Sequence, residues 1–310
     1  MTIDNQLKIF ERNLAGKIEG HYRELVEALQ HQLVEREKAV FAFAMSKYAV
    51  GGRWYDRWGV PDSVLDTLHI IEQERKNGGI VLPILALHDT GYLSLEDTAK
   101  YAGADMRELH MRVGAQHAAE LYGWKNGEKY MFTRDEVHAI VAVVAHHDDH
   151  YLREQGGVFA DPVLLDLYKT FVDCDRTFVP NFVSAYKDYV SRYAREKYGA
   201  MTGEQFLAMR VAYFFTEGDS EVEKTSIVVP EEVFRKAQAD EKYEPLYLGA
   251  AREVVAAHLR ARKQECDAGL FRMAQLGDWN TFEKAADEYF TGSIATAPQG
   301  KSYDMKRFGM

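Results

Sequence analysis

Residues 84–93 read ILALHDTGYL, an apolar run that ends in a histidine and an aspartate and is followed at once by a threonine and a glycine. An apolar helix with this pattern buries its body and presents His88 and Asp89 at its C-terminal end, where Gly91 can end the helix. Imidazole and carboxylate side chains are both common ligands of metal ions. Taken alone, the pair favours a plain helix end, with His88 as a charge partner for the C-terminal end of the helix dipole and Asp89 forming a turn.

The rest of the chain also has a helical pattern. Only seven of the 310 residues are prolines, and segments such as residues 25–50 repeat apolar residues at intervals of three and four. The pattern predicts an all-α protein. We expect helices at about residues 4–49, 62–76, 80–88, 105–122, 134–150, 162–197, 203–215, 230–262 and 265–290.

Three parts of the chain are predicted from these helices and the breaks between them. They are an N-terminal helical segment over residues 1–50, a central helical domain over residues 51–200 and a C-terminal helical extension over residues 201–310. The charge-rich stretch 216–230 lies near the second boundary and has a composition typical of a connection between domains.

Composition argues against several classes of function. The chain has 38 lysines and arginines against 48 acidic residues, a net charge of −10, and no basic run that would neutralise nucleic-acid phosphates, so bulk DNA or RNA is not an expected partner. Two cysteines, Cys174 and Cys266, fit neither a disulfide framework nor a thiolate zinc site. We see no signal-peptide pattern and no apolar run that would span a bilayer, so we expect a cytoplasmic protein without a membrane partner.

Histidines concentrate in one part of the chain. Eight of the 11 lie between His69 and His150, with aspartates among them. Histidine and carboxylate together suit Fe, Mn, Zn or Mg-type sites, so the pattern favours a metal site built from several helices. In the second dense stretch, VVAHHDDHYL at residues 143–152, helical periodicity places His147 at the margin of the buried side and turns His146 away from it.

The order of these residues on successive helices resembles the HD-domain superfamily. The resemblance is carried by His69 and by the stretches LALHDTGY, LHMRVG, VVAHHDD and FVDCDR, and it covers about residues 62–176. It implies an HD-domain helical bundle, here with N-terminal and C-terminal helical extensions, that holds one to three metals between its helices. Most members of the superfamily hydrolyse phosphate esters, and a minority are di-iron oxygenases.

The resemblance assigns the first candidate ligands. It implies that His69 is the first ligand and that His88 and Asp89 are the signature pair. For the next ligand His110 fits better than His117, because a small residue follows it four positions later. Both histidines share one helix face, seven residues apart, so His117 stays an alternative.

The remaining candidates come from the last two stretches. Both residues of a paired His-His contact metal in the HD-GYP branch, which keeps His146 beside His147, although no Gly-Tyr-Pro follows here and cyclic di-GMP hydrolysis is not expected. Members often have the ligating aspartate just before an arginine, which favours Asp175 over Asp173. Three more residues are candidates either for orienting the ligands or for solvated positions: His138, Asp149 and His150.

The implied metal ligands are His69, His88, Asp89, His110, His146, His147 and Asp175, and the implied catalytic residues are Asp89, His110 and His150. This set is large enough for two divalent ions, with Fe, Mn and Mg as candidates. The expected function is a metal-dependent phosphohydrolase acting on a nucleotide or related phosphoester, so the expected partner is a small, anionic, phosphorylated substrate. The alternatives are a di-iron oxygenase that activates O₂ and a non-catalytic regulatory module, and the flanking helices either cap the pocket or form a homodimer.

Overall fold

A computed structural model of the chain describes residues 31–51, 54–92, 106–148, 159–190, 201–239 and 246–276, together with residues 12, 16 and 27. This part of the chain is mainly α-helical and includes a two-stranded antiparallel hairpin, which agrees with the predicted helical class. None of the described helices combines the length and the apolar character that crossing a membrane requires. The described residues fall into two compact units. The first contains those between residues 27 and 176, and the second contains residues 12 and 16 together with those between residues 177 and 276.

The helices of the first unit, in chain order, are α1 Glu35–Gly51, α2 Trp54–Gln73, α3 Gly78–Leu87, α4 Met106–Ala119, α5 Arg134–Val144 and α6 Pro162–Arg176. A short 3₁₀ helix at Glu120–Gly123 and the hairpin of β1 Lys125–Asn126 and β2 Lys129–Tyr130 connect α4 to α5. Gly127 lies in the turn of this hairpin with a φ of +64°, a conformation that favours glycine.

Helix α3 forms the centre of the first unit. All of its residues from Val81 to Leu87 are buried, and the helix packs against α1, α2, α4, α5 and α6. A helix that is apolar on every side is stable in water only when other helices surround it. The end of α3, and with it His88 and Asp89, therefore lies inside the bundle.

The helices of the second unit, in chain order, are α7 Phe182–Asp188, α8 Gly203–Phe214, α9 Ser220–Thr225, α10 Glu231–Ala239, α11 Gly249–Asp267 and α12 Leu270–Leu276. Helix α11 packs against α7, α8, α9 and α12, while α10 packs against α8. Aromatic rings fill the core between α7, α8 and α12: Tyr186 stacks on Phe271, and Tyr189 contacts Phe206 and Phe271.

Three long predicted helices are interrupted in the structure. The helix predicted over residues 4–49 is broken at residues 32–34, before α1 begins at Glu35. The helix predicted over residues 162–197 ends at Arg176, and after a turn a separate helix begins at Phe182. The helix predicted over residues 230–262 is divided into α10 and α11, with non-helical residues 246–248 before the second part. Periodicity alone misses such breaks because apolar spacing continues across them.

The domain boundaries expected after residues 50 and 200 stay predictions. Helix α1, most of which lies within the predicted N-terminal segment 1–50, packs directly against α2 and α3. The described residues form compact units that divide after Arg176, and the predicted second boundary follows residue 200. Helix α1 is thus part of the same packed unit as α3.

Candidate metal centre

The HD pair continues the last turn of α3. His88 keeps helical dihedral angles and its backbone N–H donates to the Ile84 carbonyl at 3.0 Å. The His88 side chain is buried, whereas 21% of the Asp89 side chain is exposed. The buried body of α3 therefore fixes the pair inside the bundle while one carboxylate stays within reach of solvent.

Five side chains from four segments converge at this point. Asp89 Oδ1 lies 3.2 Å from His147 Nε2 and 3.5 Å from His110 Nε2, and Asp89 Oδ2 lies 3.2 Å from His88 Nε2. Asp175 Oδ1 lies 3.2 Å from His88 Nε2 on the other side. We call the five residues the His–Asp cluster; its members are His88, Asp89, His110, His147 and Asp175.

The three histidines of the cluster are oriented in the same way. The Nδ1 atom of each ring lies within hydrogen-bond distance of a backbone carbonyl three or four residues earlier in the chain: His88 to Leu85 O at 2.8 Å, His110 to Met106 O at 3.1 Å, and His147 to Val144 O at 2.8 Å. A carbonyl oxygen only accepts, so in the neutral rings Nδ1 carries the hydrogen. The Nε2 lone pairs then all face the interior of the cluster, which is the usual arrangement of metal-binding histidines.

This arrangement could hold a cation. Three Nε2 lone pairs and two carboxylates face one another, and at short range these groups repel unless a proton or a metal ion lies between them. Ligand atoms of His88, Asp89 and His147 all lie within 4.8 Å of one another. Donors bound to one ion at about 2.1 Å are about 3.0–3.4 Å apart, so the observed separations of 3.1–3.5 Å within the cluster fit a shared metal ion.

The pKa values of His88 and Asp89 also favour positive charge at this point. Burial lowers the pKa of His88, but the charges of Asp89 and Asp175 outweigh burial and raise the pKa well above its usual value. Burial raises the pKa of Asp89, yet the charge of His88 and the contacts with His110 and His147 bring it well below its usual value. For His147, burial dominates and lowers the pKa. The carboxylates therefore attract a cation to this point.

Two glycines let α4 approach the end of α3. A Cβ atom at Gly91 would collide with the backbone of His110 and Gly114, and a Cβ at Gly114 would lie 2.9 Å from the His88 carbonyl oxygen and 3.2 Å from Val144. The sequence suggested that Gly91 ends the helix, but Gly91 is not among the glycines with positive φ. Its role is the close approach that brings His110 to Asp89.

His147 lies in a turn and not on a helix. Helix α5 was predicted to extend to residue 150 but ends at Val144, and residues 145–148 form a turn. The start of α5 is fixed by a capping box between Thr133 and Glu136. The backbone N–H of Asp148 points at Met111 Sδ at 3.4 Å, which ties the turn to α4. The turn thereby presents His147 to His110.

Aromatic side chains outside the predicted set of site residues pack on the histidine rings of the cluster. Tyr92 stacks on His110 with ring centroids 4.2 Å apart. Phe171 lies 5.1 Å from the His88 ring and 6.1 Å from the His147 ring, measured between centroids. Tyr92 lies within the quoted LALHDTGY stretch and Phe171 within FVDCDR, so their proximity in sequence to Asp89 and Asp175 was the available signal.

The structure brings together five of the seven predicted ligands and leaves two outside. His69 lies on α2 with an exposed side chain and is not part of the described group of ligands. His146 is only partly buried, and its ring lies 6.1 Å from Phe159 between centroids. The side chain of His69 is thus exposed and outside the cluster, and its role as first ligand stays a prediction.

The structure also shows where most of the alternative candidate residues lie. His117 lies outside the cluster, and its Nδ1 is 3.1 Å from Thr90 Oγ1. Asp173 is buried but is not the aspartate next to His88, which is Asp175. His138 is exposed on α5. The remaining two candidates, Asp149 and the predicted catalytic residue His150, lie outside the described residues.

Comparisons with protein-family models, with curated proteins and with solved structures found no match for this chain.

Proposed function

We propose that the protein is a metal-dependent phosphohydrolase that acts on a nucleotide or a related phosphoester. The observation that supports this most strongly is the convergence of three Nε2 atoms on the Asp89 carboxylate, with each ring oriented by a backbone carbonyl. A site so arranged suits a divalent cation, and hydrolysis of phosphoesters is a reaction that such sites promote.

The residues of the His–Asp cluster would hold the metal. The two oxygens of Asp89 face different histidines: Oδ1 lies near His110 and His147, whereas Oδ2 lies near His88, which is also close to Asp175. A carboxylate shared between two sets of donors is a suitable bridge between two ions. We therefore propose two divalent ions, with Mn, Fe and Mg as candidates.

The expected chemistry is divided between the metal and the chain. A bound divalent ion lowers the pKa of a water molecule and neutralises charge on the phosphoryl oxygens. The chain orients the three imidazoles through their Nδ1 atoms and keeps Asp89 partly exposed, so that this carboxylate can accept a hydrogen bond from the attacking water and fix its direction. His110 is fully buried, which suits a ligand rather than a group that touches substrate.

An anionic substrate is compatible with the charge of the protein. The net charge of −10 would repel a phosphoester at long range, but that repulsion is screened by salt over about 8–10 Å. Within the site, the charge of a bound divalent ion is the largest local charge and attracts the phosphoryl oxygens. The acidic composition thus does not conflict with the proposed substrate class.

The test combines metal analysis with a turnover assay. Protein purified without added metal is analysed for its metal content, and phosphate release from a panel of nucleotides is then measured with Mn²⁺ for the wild type, Asp89→Asn and Asp135→Asn. We expect Asp89→Asn to lower kcat/KM on the order of 100- to 1000-fold. Asp135 is an exposed aspartate on α5, so Asp135→Asn is the matched control and should retain activity.

Two results would contradict the proposal. Two irons per chain with redox-dependent visible absorption, and O₂ consumption without phosphate release, would identify an oxygenase, because the same ligand types also bind iron. Metal binding with no turnover on any phosphoester would favour a regulatory module.

A further inference from the structure

Thr90 follows the ligand pair directly and is almost fully buried, with 4% of its surface exposed. Its hydroxyl donates to the Leu87 carbonyl at 2.7 Å, and its backbone N–H donates to the same oxygen at 3.1 Å. The single hydroxyl hydrogen is used in this bond, so Thr90 Oγ1 can only accept from other groups.

The group that lies next to Thr90 Oγ1 is His117, with its Nδ1 at 3.1 Å. Because Oγ1 accepts, His117 Nδ1 must carry the hydrogen. Burial, together with the nearby charge of Lys47, lowers the pKa of His117 to about 4, so the ring is neutral at physiological pH and has one N–H to give. Phe43 of α1 contacts the ring edge-on, with centroids 6.3 Å apart, and limits its rotation.

A continuous chain of hydrogen bonds therefore runs from His117 N–H to the Thr90 hydroxyl and on to the Leu87 carbonyl. His117 is on α4, seven residues after His110 and on the same face, so α4 carries both a member of the His–Asp cluster and an anchor for the end of α3. Asp89 lies between the anchored residue Thr90 and the buried His88, and its Oδ1 lies 3.5 Å from His110.

We propose that Thr90 and His117 form a clamp that sets the position of Asp89 relative to His110 and so determines how tightly the His–Asp cluster binds metal. The clamp rests on the proposed metal centre and makes His117 a positioning residue, not a ligand. Groups that orient ligands without touching metal commonly change metal affinity 10- to 100-fold when they are removed.

The test measures binding of Mn²⁺ alone to the full chain by isothermal titration calorimetry. Thr90→Val keeps the shape of the side chain and removes the hydroxyl, whereas Thr90→Ser keeps the hydroxyl. His117→Leu removes the N–H donor, and His117→Asn keeps a donor near the position of Nδ1. We expect Thr90→Val and His117→Leu to weaken Mn²⁺ binding about 10- to 100-fold, and the two conservative variants to stay within about threefold of the wild type.

A double variant separates a clamp from two independent packing effects. Thr90→Val with His117→Leu should bind Mn²⁺ no more weakly than the worse single variant, because both changes break the same chain. Circular dichroism checks that each variant is folded. If Thr90→Val does not fold, the Mn²⁺ affinities of His117→Leu and His117→Asn decide whether the clamp exists. Equal Mn²⁺ affinity in wild type and folded Thr90→Val, or in His117→Leu, would overturn the clamp.

The outcomes for the clamp and for the proposed function are distinct. A wild type that binds Mn²⁺ tightly and hydrolyses no phosphoester contradicts the phosphohydrolase but leaves the clamp supported if Thr90→Val weakens binding. A wild type that hydrolyses phosphoesters while Thr90→Val binds Mn²⁺ equally well contradicts the clamp alone. A wild type without any Mn²⁺ binding overturns both.

Discussion

The Nε2 atoms of His110 and His147 lie 3.1 Å apart, although 37 positions separate the two residues in the chain. Each ring has its Nδ1 at a backbone carbonyl, so two neutral rings would bring two lone pairs together. A proton or a metal ion between the nitrogens removes that repulsion. The pair is therefore a site where binding of a cation and stability of the fold are linked, and the following predictions use this linkage.

Adding a divalent metal should stabilise the protein, and a chelator should remove the gain. A ligand that binds only the native state adds about 2.7 kcal/mol to the free energy of unfolding when its free concentration is 100 times Kd. Urea unfolding with Mn²⁺ and with EDTA measures the difference. In His147→Ala the metal-dependent gain should fall sharply; an unchanged gain would place the metal elsewhere.

His110→Ala should abolish tight metal binding, whereas His69→Ala should leave it unchanged. His110 is fully buried in the cluster, and His69 is exposed on α2 outside the described ligand group. We expect a loss of at least about 100-fold in Mn²⁺ affinity for His110→Ala, since a ligand itself is removed. Metal content and calorimetric titration of both variants test this, with His138→Ala as a second exposed control. Loss of metal in His69→Ala would restore the ligand role that the resemblance implied.

Gly114→Ala should destabilise the protein by about 1–3 kcal/mol, because its Cβ would press on the His88 carbonyl and on Val144 in a packed region. Gly123→Ala is the matched control, since a Cβ there meets nothing within 4 Å. Chemical denaturation of both variants measures the free energy of unfolding. Equal stability of the two variants would show that α3 and α4 can move apart without lowering the free energy of unfolding.

Stability should fall between about pH 6.5 and pH 4 in a way that depends on His117. The pKa of His117 is lowered to about 4 in the folded protein, mainly by burial and also by Lys47. Below pH 6.5 His117 takes up a proton in the unfolded chain but stays neutral in the folded protein. The contribution of His117 to the free energy of unfolding, which is present above pH 6.5, is therefore lost as the pH falls. Since the ring is only partly buried, we expect an effect on the order of 1 kcal/mol.

The control for this pH effect is His117→Asn, which cannot titrate. Its free energy of unfolding should change less than that of the wild type across the same pH range, measured by urea denaturation at constant ionic strength. Parallel pH curves for the two proteins would mean that His117 does not contribute.

The sequence by itself determined that the protein is mainly α-helical and that α3 is its central buried helix. An apolar run that ends in His88 and Asp89 can only be stable inside a bundle, so burial of α3 and placement of the pair at its end follow from hydrophobicity alone. The preference for His147 over His146 came from the same local pattern. The capping box at Thr133 likewise marks the start of α5 in the sequence.

Only the tertiary structure decided which histidine and which aspartate join the cluster. His110 and His117 share one face of α4, so their spacing could not separate them; the close approach at Gly91 and Gly114 brings His110 to Asp89 and leaves His117 beside Thr90. The exposed position of His69 on α2 is likewise decided by the tertiary structure. Helical periodicity fixes directions around one axis, whereas these choices depend on how two helices approach and rotate against each other, which residues far apart in the chain determine together.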